Sequence, residues 1–233
     1  MKKTFLVLVA SLLLFSTLFV SCSPAPLTAD QVIQKMAENG KNLKTGHLQM
    51  DLNMTVGTES VKITTTGIYE NPDKSYLTVS LLGQSLQVLS LSATEIYQRA
   101  SETDAWVKSN AGVSAQAGNM YDFTKNPEQL LKYYTNAKLL PEESVDGSPA
   151  NYHVSFELDV AGMIKASGVD AATLAQVEFK GPAQVEAWIG KTDFFTHKQI
   201  SKFMMAAAGQ EITMDVIVSQ TEINKPVVIP TPS

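Results

Sequence analysis

The sequence predicts an α+β protein in which one antiparallel sheet curls around one or two helices. Three observations carry this. First, His47–Val56 alternates strictly: Leu48, Met50, Leu52, Met54 and Val56 are apolar and every residue between them is polar. Side chains alternate across a strand, so the segment has one apolar and one hydrated face. Second, further strand-like runs follow at short spacing, at 61–69, 75–82, 85–91 and 94–99. Parallel strands need crossovers of about a dozen residues or more, so these runs pair antiparallel through hairpins. Third, Thr28-Ala29-Asp30-Gln31 has the spacing of a helix capping box, and Val32, Ile33, Met36 and Ala37 then recur at helical spacing.

In chain order, the first helix is expected over 29–43, with Asn39-Gly40 as its stop. The strand block to Arg99 is punctuated by Asn71-Pro72-Asp73-Lys74 and by Gly83, both turn-forming. Residues 105–108, with Trp106, read as another short strand and 109–125 as a loop. Asn126-Pro127-Glu128 predicts a second helix, with Asn126 as N-cap and Pro127 in the first position. Leu130, Leu131, Tyr134 and Ala137 form its apolar side and Pro141 ends it. A turn at 145–149 leads to an alternating strand at 152–158.

Segments 160–167 and 171–177 read as two short helices broken by Gly168, an insertion closed by Gly181-Pro182. Strands are expected at 184–189, 196–205 and 211–219, with Trp188 in the same phase as Gln184 and Glu186 and so on the outer face. The total is about nine or ten strands, and a twisted sheet of that size tends to curl. Its apolar face must then be covered, by helices or by a guest.

The amino terminus has the build of an export segment. Met1-Lys2-Lys3-Thr4 is basic, 5–20 is almost wholly apolar, and Ser21-Cys22-Ser23-Pro24 follows. The apolar run is short for a transmembrane helix, which needs about 20 residues. Phe19-Val20-Ser21-Cys22 resembles the lipobox of bacterial lipoproteins, in which the cysteine becomes diacylated. The expected division is a signal peptide at 1–21, a lipidated tether at 22–28, one domain at 29–224 and a Pro-rich extended tail at 225–233. Lipidation at Cys22 implies anchorage outside the cytoplasm, on the cell membrane or the outer membrane.

Composition narrows the function further. The net charge is −5 with no basic stripe, which excludes nucleic acid as the expected partner. Cys22 is the only cysteine, so no internal disulfide or thiolate cluster forms. His47, His153 and His197 lie far apart in the sequence and read as hydrogen-bonded surface residues. HExxH, GxSxG and phosphate-cradling glycine patterns are missing, so neither an enzyme nor a metal or cofactor site is expected.

Taken together, Cys22, the capped first helix, the meander from Gly46 to Arg99 and the closing block resemble the LolA/LolB superfamily, in particular LppX/LprG-type lipoproteins. The closing block comprises Val185-Glu186-Ala187-Trp188-Ile189, Thr196-His197-Lys198-Gln199-Ile200 and a last strand running into Asn224-Lys225-Pro226-Val227. The resemblance implies a strongly curved half-barrel sheet wrapped around helices, with an apolar cavity between them. It also implies carriage of lipids or acylated molecules within the cell envelope. LolA-type carriers have a cargo-contacting arginine, whereas this chain has only Arg99 and no motif that transfers the role.

The candidate lining is the even face of the first strand, Leu48, Met50, Leu52 and Met54, with Ile63, Leu77, Val79 and Leu81. Val154, Phe156, Leu158 and Met214 join it, and Met163 and Ile164 come from the helical insertion. Each of these residues, taken singly, reads first as plain core, and the insertion as a lid or as a cap on a sheet edge. Two functions fit: a membrane-anchored lipid binder, or a non-enzymatic envelope sensor that docks a protein partner on the same fold.

Overall fold

The computed structural model describes residues 25–109, 127–145, 147, 149–166 and 177–232. Cys22, Asn126, the loop beyond 109 and the helix expected from 171 fall outside them. The first helix, α1 (Ala29–Gly40), opens on the predicted capping box: Gln31 N donates to Thr28 Oγ1 at 3.3 Å and Thr28 N to Gln31 Oε1 at 2.9 Å. It stops at Gly40, one turn short of the expected end, and buries Ala29, Val32, Ile33, Met36 and Ala37.

Strands β1 (Thr45–Val56), β2 (Glu59–Glu70), β3 (Lys74–Leu81), β4 (Gln84–Ser92), β5 (Glu95–Arg99) and β6 (Val107–Lys108) form the predicted meander. After α2 (Pro127–Tyr133) come β7 (Tyr134–Glu143), β8 (Asn151–Leu158), α3 (Val160–Ala166), β9 (Val177–Phe179), β10 (Ala183–Gly190), β11 (Thr196–Ala207) and β12 (Gln210–Thr221). All belong to one 12-stranded antiparallel sheet in the order β6-β5-β4-β3-β2-β1-β12-β11-β10-β8-β7, with β9 on β11. The sheet is open, with β6 and β7 as its ends.

The strand total exceeds the nine or ten expected, because two segments read as helical are strands. Tyr134 and Ala137 do not continue α2. They belong to β7, which pairs with β8 at Tyr134↔Leu158 and Leu139↔Val154. The sequence hides this strand because two bulges, between Thr135 and Lys138 and between Leu140 and Glu143, destroy the alternation. Asn136, at φ 56, occupies a left-handed conformation that Asn tolerates. Pro141 is acceptable because β7 is an edge strand. Pairing wins over helix propensity here, since the β8 edge would otherwise expose a row of peptide groups. Val177, expected at the end of a helix, opens β9, whose Phe179 pairs with Met205.

The core lies on one face of the sheet, termed here the inner face. Val32, Ile33 and Met36 of α1 join Leu130 of α2, Val160 and Met163 of α3, and inward residues of β8, β10, β11, β12 and β1 in one buried cluster. The α1–β1 loop is tied to the tail. Asn224 Oδ1 accepts from Lys44 N at 2.7 Å, and Asn224 Nδ2 donates to Asn42 O at 3.1 Å.

Gly67 is a tight point of the inner face. It pairs between Leu48 and Leu77, and a Cβ there would strike the Tyr76 carbonyl oxygen and lie 2.8 Å from Leu77 Cα. Both obstacles are backbone, so they cannot rotate away. Gly67→Ala is expected to destabilise the fold by about 2 kcal/mol or more, read as a lowered urea midpoint.

Candidate functional site

Strand register assembles the candidate residues into rows across the inner face. One row runs Val216–Leu52–Ile63–Leu81, and the next runs Val218–Met50–Thr65–Val79–Leu86. A third runs Gln220–Leu48–Gly67–Leu77–Val88, and Met214 stands beside Met54 and Val61. Leu48, Met50, Leu52, Met54, Ile63, Leu77, Val79 and Leu81 therefore share one face of three adjacent strands.

Burial changes along each row. In the first, Val216 is 2% exposed and Leu52 7%, Ile63 is half-buried, and Leu81 reaches 40%. The second ends on Leu86, 39% exposed. The rows thus start inside the helix-covered core on β12 and β1. Two of them end on exposed side chains, Leu81 and Leu86, whereas the third ends on buried Val88, 8% exposed. Large exposed apolar side chains that adjoin one another mark an interaction site more strongly than scattered ones do.

The other candidates lie elsewhere. Val154, Phe156, Leu158, Met163 and Met214 are buried members of the core cluster, and Ile164 packs against it half-buried. They support α1 and α3 and do not reach the open part of the rows. Sequence reasoning missed Leu86 and Val61, although both follow from the alternation of their strands once the register is known. At the carboxyl end of α1, Met36, Gly40, Leu43, Phe195, Thr196 and Gln220 surround about 10 Å³, room for one water. Thr196 Oγ1 is buried there without a hydrogen-bond partner among the described residues.

The outer face is chemically different. A groove of about 420 Å³ is walled by His47, Gln49, Thr66, Ser219 and Thr221 with Ile68, a hydroxyl- and amide-rich surface. Arg99 pairs in register with Gln87 on this face, donates from Nε to Gln87 Oε1 at 2.6 Å, and stacks over Trp106. It is thus on the opposite side of the sheet from the apolar rows. Trp188 is on the outer face, as its strand phase predicts, and packs flat on His153 at 4.2 Å. Its Nε1 donates to Glu143 Oε2 at 3.0 Å. The His153 side chain is only 12% exposed, so it is less a surface group than the sequence implies, and its Nε2 lies 3.0 Å from Glu186.

Where α1 meets β7, the Tyr134 hydroxyl donates to Asp30 Oδ1 at 2.9 Å. Burial, followed by this hydrogen bond to a carboxylate, pushes the Tyr134 phenol above its ordinary pKa.

This open-sheet fold is the one seen in the solved structures of LppX and LprF. In particular, the chain is similar to the crystal structure of lipoprotein LppX from Mycobacterium tuberculosis, with TM-score 0.52, 14% identity, and coverage of 87% of this chain and 98% of that one. It is likewise similar to LprF from Mycobacterium bovis, with TM-score 0.51, 16% identity, and coverage of 88% and 97%. The likeness is one of fold. The sequence matches no family model and no curated protein. No helix among the described residues is long and apolar enough to cross a membrane.

The burial gradient predicts a stability gradient. Leu52→Ala should cost about 2–5 kcal/mol, because it empties a packed site. Leu81→Ala, two strands away in the same row, should cost less than about 1 kcal/mol. Urea denaturation of the two variants reads the difference.

Proposed function

We propose that the protein is a lipoprotein anchored through Cys22 that binds the hydrocarbon of a lipid or acylated molecule against the inner face of β1–β4. It carries or transfers that guest within the cell envelope and does no covalent chemistry. The observation that supports this reading is the set of apolar rows that begin in the core and end on exposed Leu81 and Leu86.

The energetics favour such a surface. Lifting two acyl chains of about sixteen carbons from a bilayer costs roughly 25 kcal/mol at about 0.8 kcal/mol per CH₂. A carrier offsets this only with continuous apolar contact, and unpaired polar groups along the path would be penalised. Met50 in the second row and Met54 beside the first, both partly exposed, add adaptable side chains that fit chains of differing shape. An aliphatic guest laid along β2–β4 extends the existing core instead of requiring a new one.

The test is purification of the chain without detergent, native mass spectrometry for bound lipid, and titration with a fluorescent fatty acid. Bound lipid and saturable uptake are expected. Val79→Glu, on the inner face, should weaken uptake at least about tenfold, equivalent to about 1.4 kcal/mol. Thr78→Glu, its neighbour on the outer face, should leave uptake unchanged. Uptake unaffected by Val79→Glu, or absent in a folded protein, contradicts the reading and leaves a protein-docking module in its place.

A further inference from the structure

We propose that Thr65 is a specificity-determining residue of the inner face, whose hydroxyl donates a hydrogen bond to the carbonyl oxygen of a neutral acyl ester. The proposal rests on the reading of this face as a hydrocarbon-binding surface and names the chemical class of its guest.

The place of Thr65 in the register is the first observation. It stands in the second row, between Met50 and Val79. Ile63 and Gly67 flank it along β2 on the same face, and the four diagonal positions on β1 and β3 are leucines. Thr65 is thus a single hydroxyl set in a field of hydrocarbon. Valine has the same branched shape and the same preference for strands, and would fill this site without a polar group.

The state of the hydroxyl is the second observation. Thr65 is 6% exposed, yet its side chain makes no hydrogen bond among the described residues. Other polar side chains on the inner face are engaged: Gln220 accepts from the Tyr69 hydroxyl at 2.7 Å, and Gln199 Nε2 donates to Ser201 Oγ at 2.9 Å. Next to Thr65 on the outer face, Thr64 is bonded to Asp51. Thr65 Oγ1 is also distinct from Thr196 Oγ1, which is fully enclosed without a partner. The Thr65 oxygen therefore reaches the small surface that its residue keeps, and that surface belongs to the apolar rows. A buried hydroxyl is penalised until something bonds to it.

Charge selects the partner. The cations of β2, β3 and β5 are Lys62, Lys74 and Arg99, and all three are in outer-face phase, opposite Asn53, Glu70 and Gln87. β1 and β4 carry no lysine or arginine. A carboxylate drawn down to Thr65 would lie among leucines with no counter-charge, which is far costlier than a neutral carbonyl. An ester oxygen accepts from the hydroxyl without that cost. The acyl chain then runs along the row, over Val79 to exposed Leu86. A free fatty acid can still use the rows, with its carboxylate left in water.

The experiment measures binding of methyl laurate, dodecane and ionised lauric acid to the full chain and to Thr65→Val and Thr65→Ser, by displacement of a fluorescent fatty acid. The affinity ratio of methyl laurate to dodecane cancels changes in apolar packing. Thr65→Val should lower this ratio about threefold or more, as loss of one neutral hydrogen bond does, and Thr65→Ser should keep it. The ratio of lauric acid to dodecane should stay constant throughout. The melting temperature of Thr65→Val should hold or rise, because the hydroxyl has no bond to lose within the fold.

A methyl laurate ratio unmoved by Thr65→Val, an equal fall in Thr65→Ser, an equal fall for lauric acid, or a lowered melting temperature of Thr65→Val overturns the proposal while leaving hydrocarbon binding in place. Failure of all three probes to bind the folded, unsubstituted chain overturns hydrocarbon binding, and the proposal with it.

Discussion

The register of β1 is the constraint on which the rest of the structure depends. It is hydrogen-bonded on both sides, to β12 with Leu52 opposite Val216 and to β2 with Leu52 opposite Ile63. A slip of one residue would turn its whole apolar set to the other face. Burial of Leu52 and Met214 against the α1 cluster forbids that slip. The same register aligns Ile63, Val79 and Leu81 on the inner face of β2 and β3. One strand thereby joins a closed half of the sheet, where helices fill the space, to an open half with the same chemistry.

The two faces of the open half are unlike. On the outer face, Asp51 accepts from Thr64 Oγ1 at 2.7 Å and lies 3.4 Å from Lys62, the usual hydration of a solvated strand. Aromatic side chains there are stacked and capped: Tyr76 packs edge-on to Trp106, and Arg99 covers Trp106 from above. The aromatic groups of the outer face of β3–β6 are thus satisfied locally. On the inner face, Leu81 and Leu86 are exposed, while Val88 on β4 and Ile96 on β5 are buried. The proposed binding of hydrocarbon rests on exposed Leu81 and Leu86 of the inner face.

Most of the fold was legible because local and global preferences agree. The capping box at Thr28 and Gln31, the alternation of His47–Val56 and the turn residues near Asn71 and Gly83 each point to the element observed. Tyr134–Glu143 was not legible. Bulges removed its period of two, Leu130 and Leu131 suggested a longer helix, and only the unpaired edge of β8 decides the matter. The twelve strand residues among the candidate lining fall on one face because strand periodicity alone sorts faces. Which of them are sealed and which exposed was beyond the sequence, since that depends on where α1, α2 and α3 rest. Val154, Phe156 and Leu158 alternate as cleanly as Leu48–Met54, yet they lie beneath helices.

The central claim is that hydrocarbon occupies the inner face of β1–β4. Photo-crosslinking with a diazirine-bearing fatty acid, followed by peptide mapping, tests it most directly. Label concentrated on Met50, Ile63, Val79, Leu81 and Leu86 is the result the account predicts. Label on the outer face, around Tyr76, Thr78 or Trp188, would contradict it.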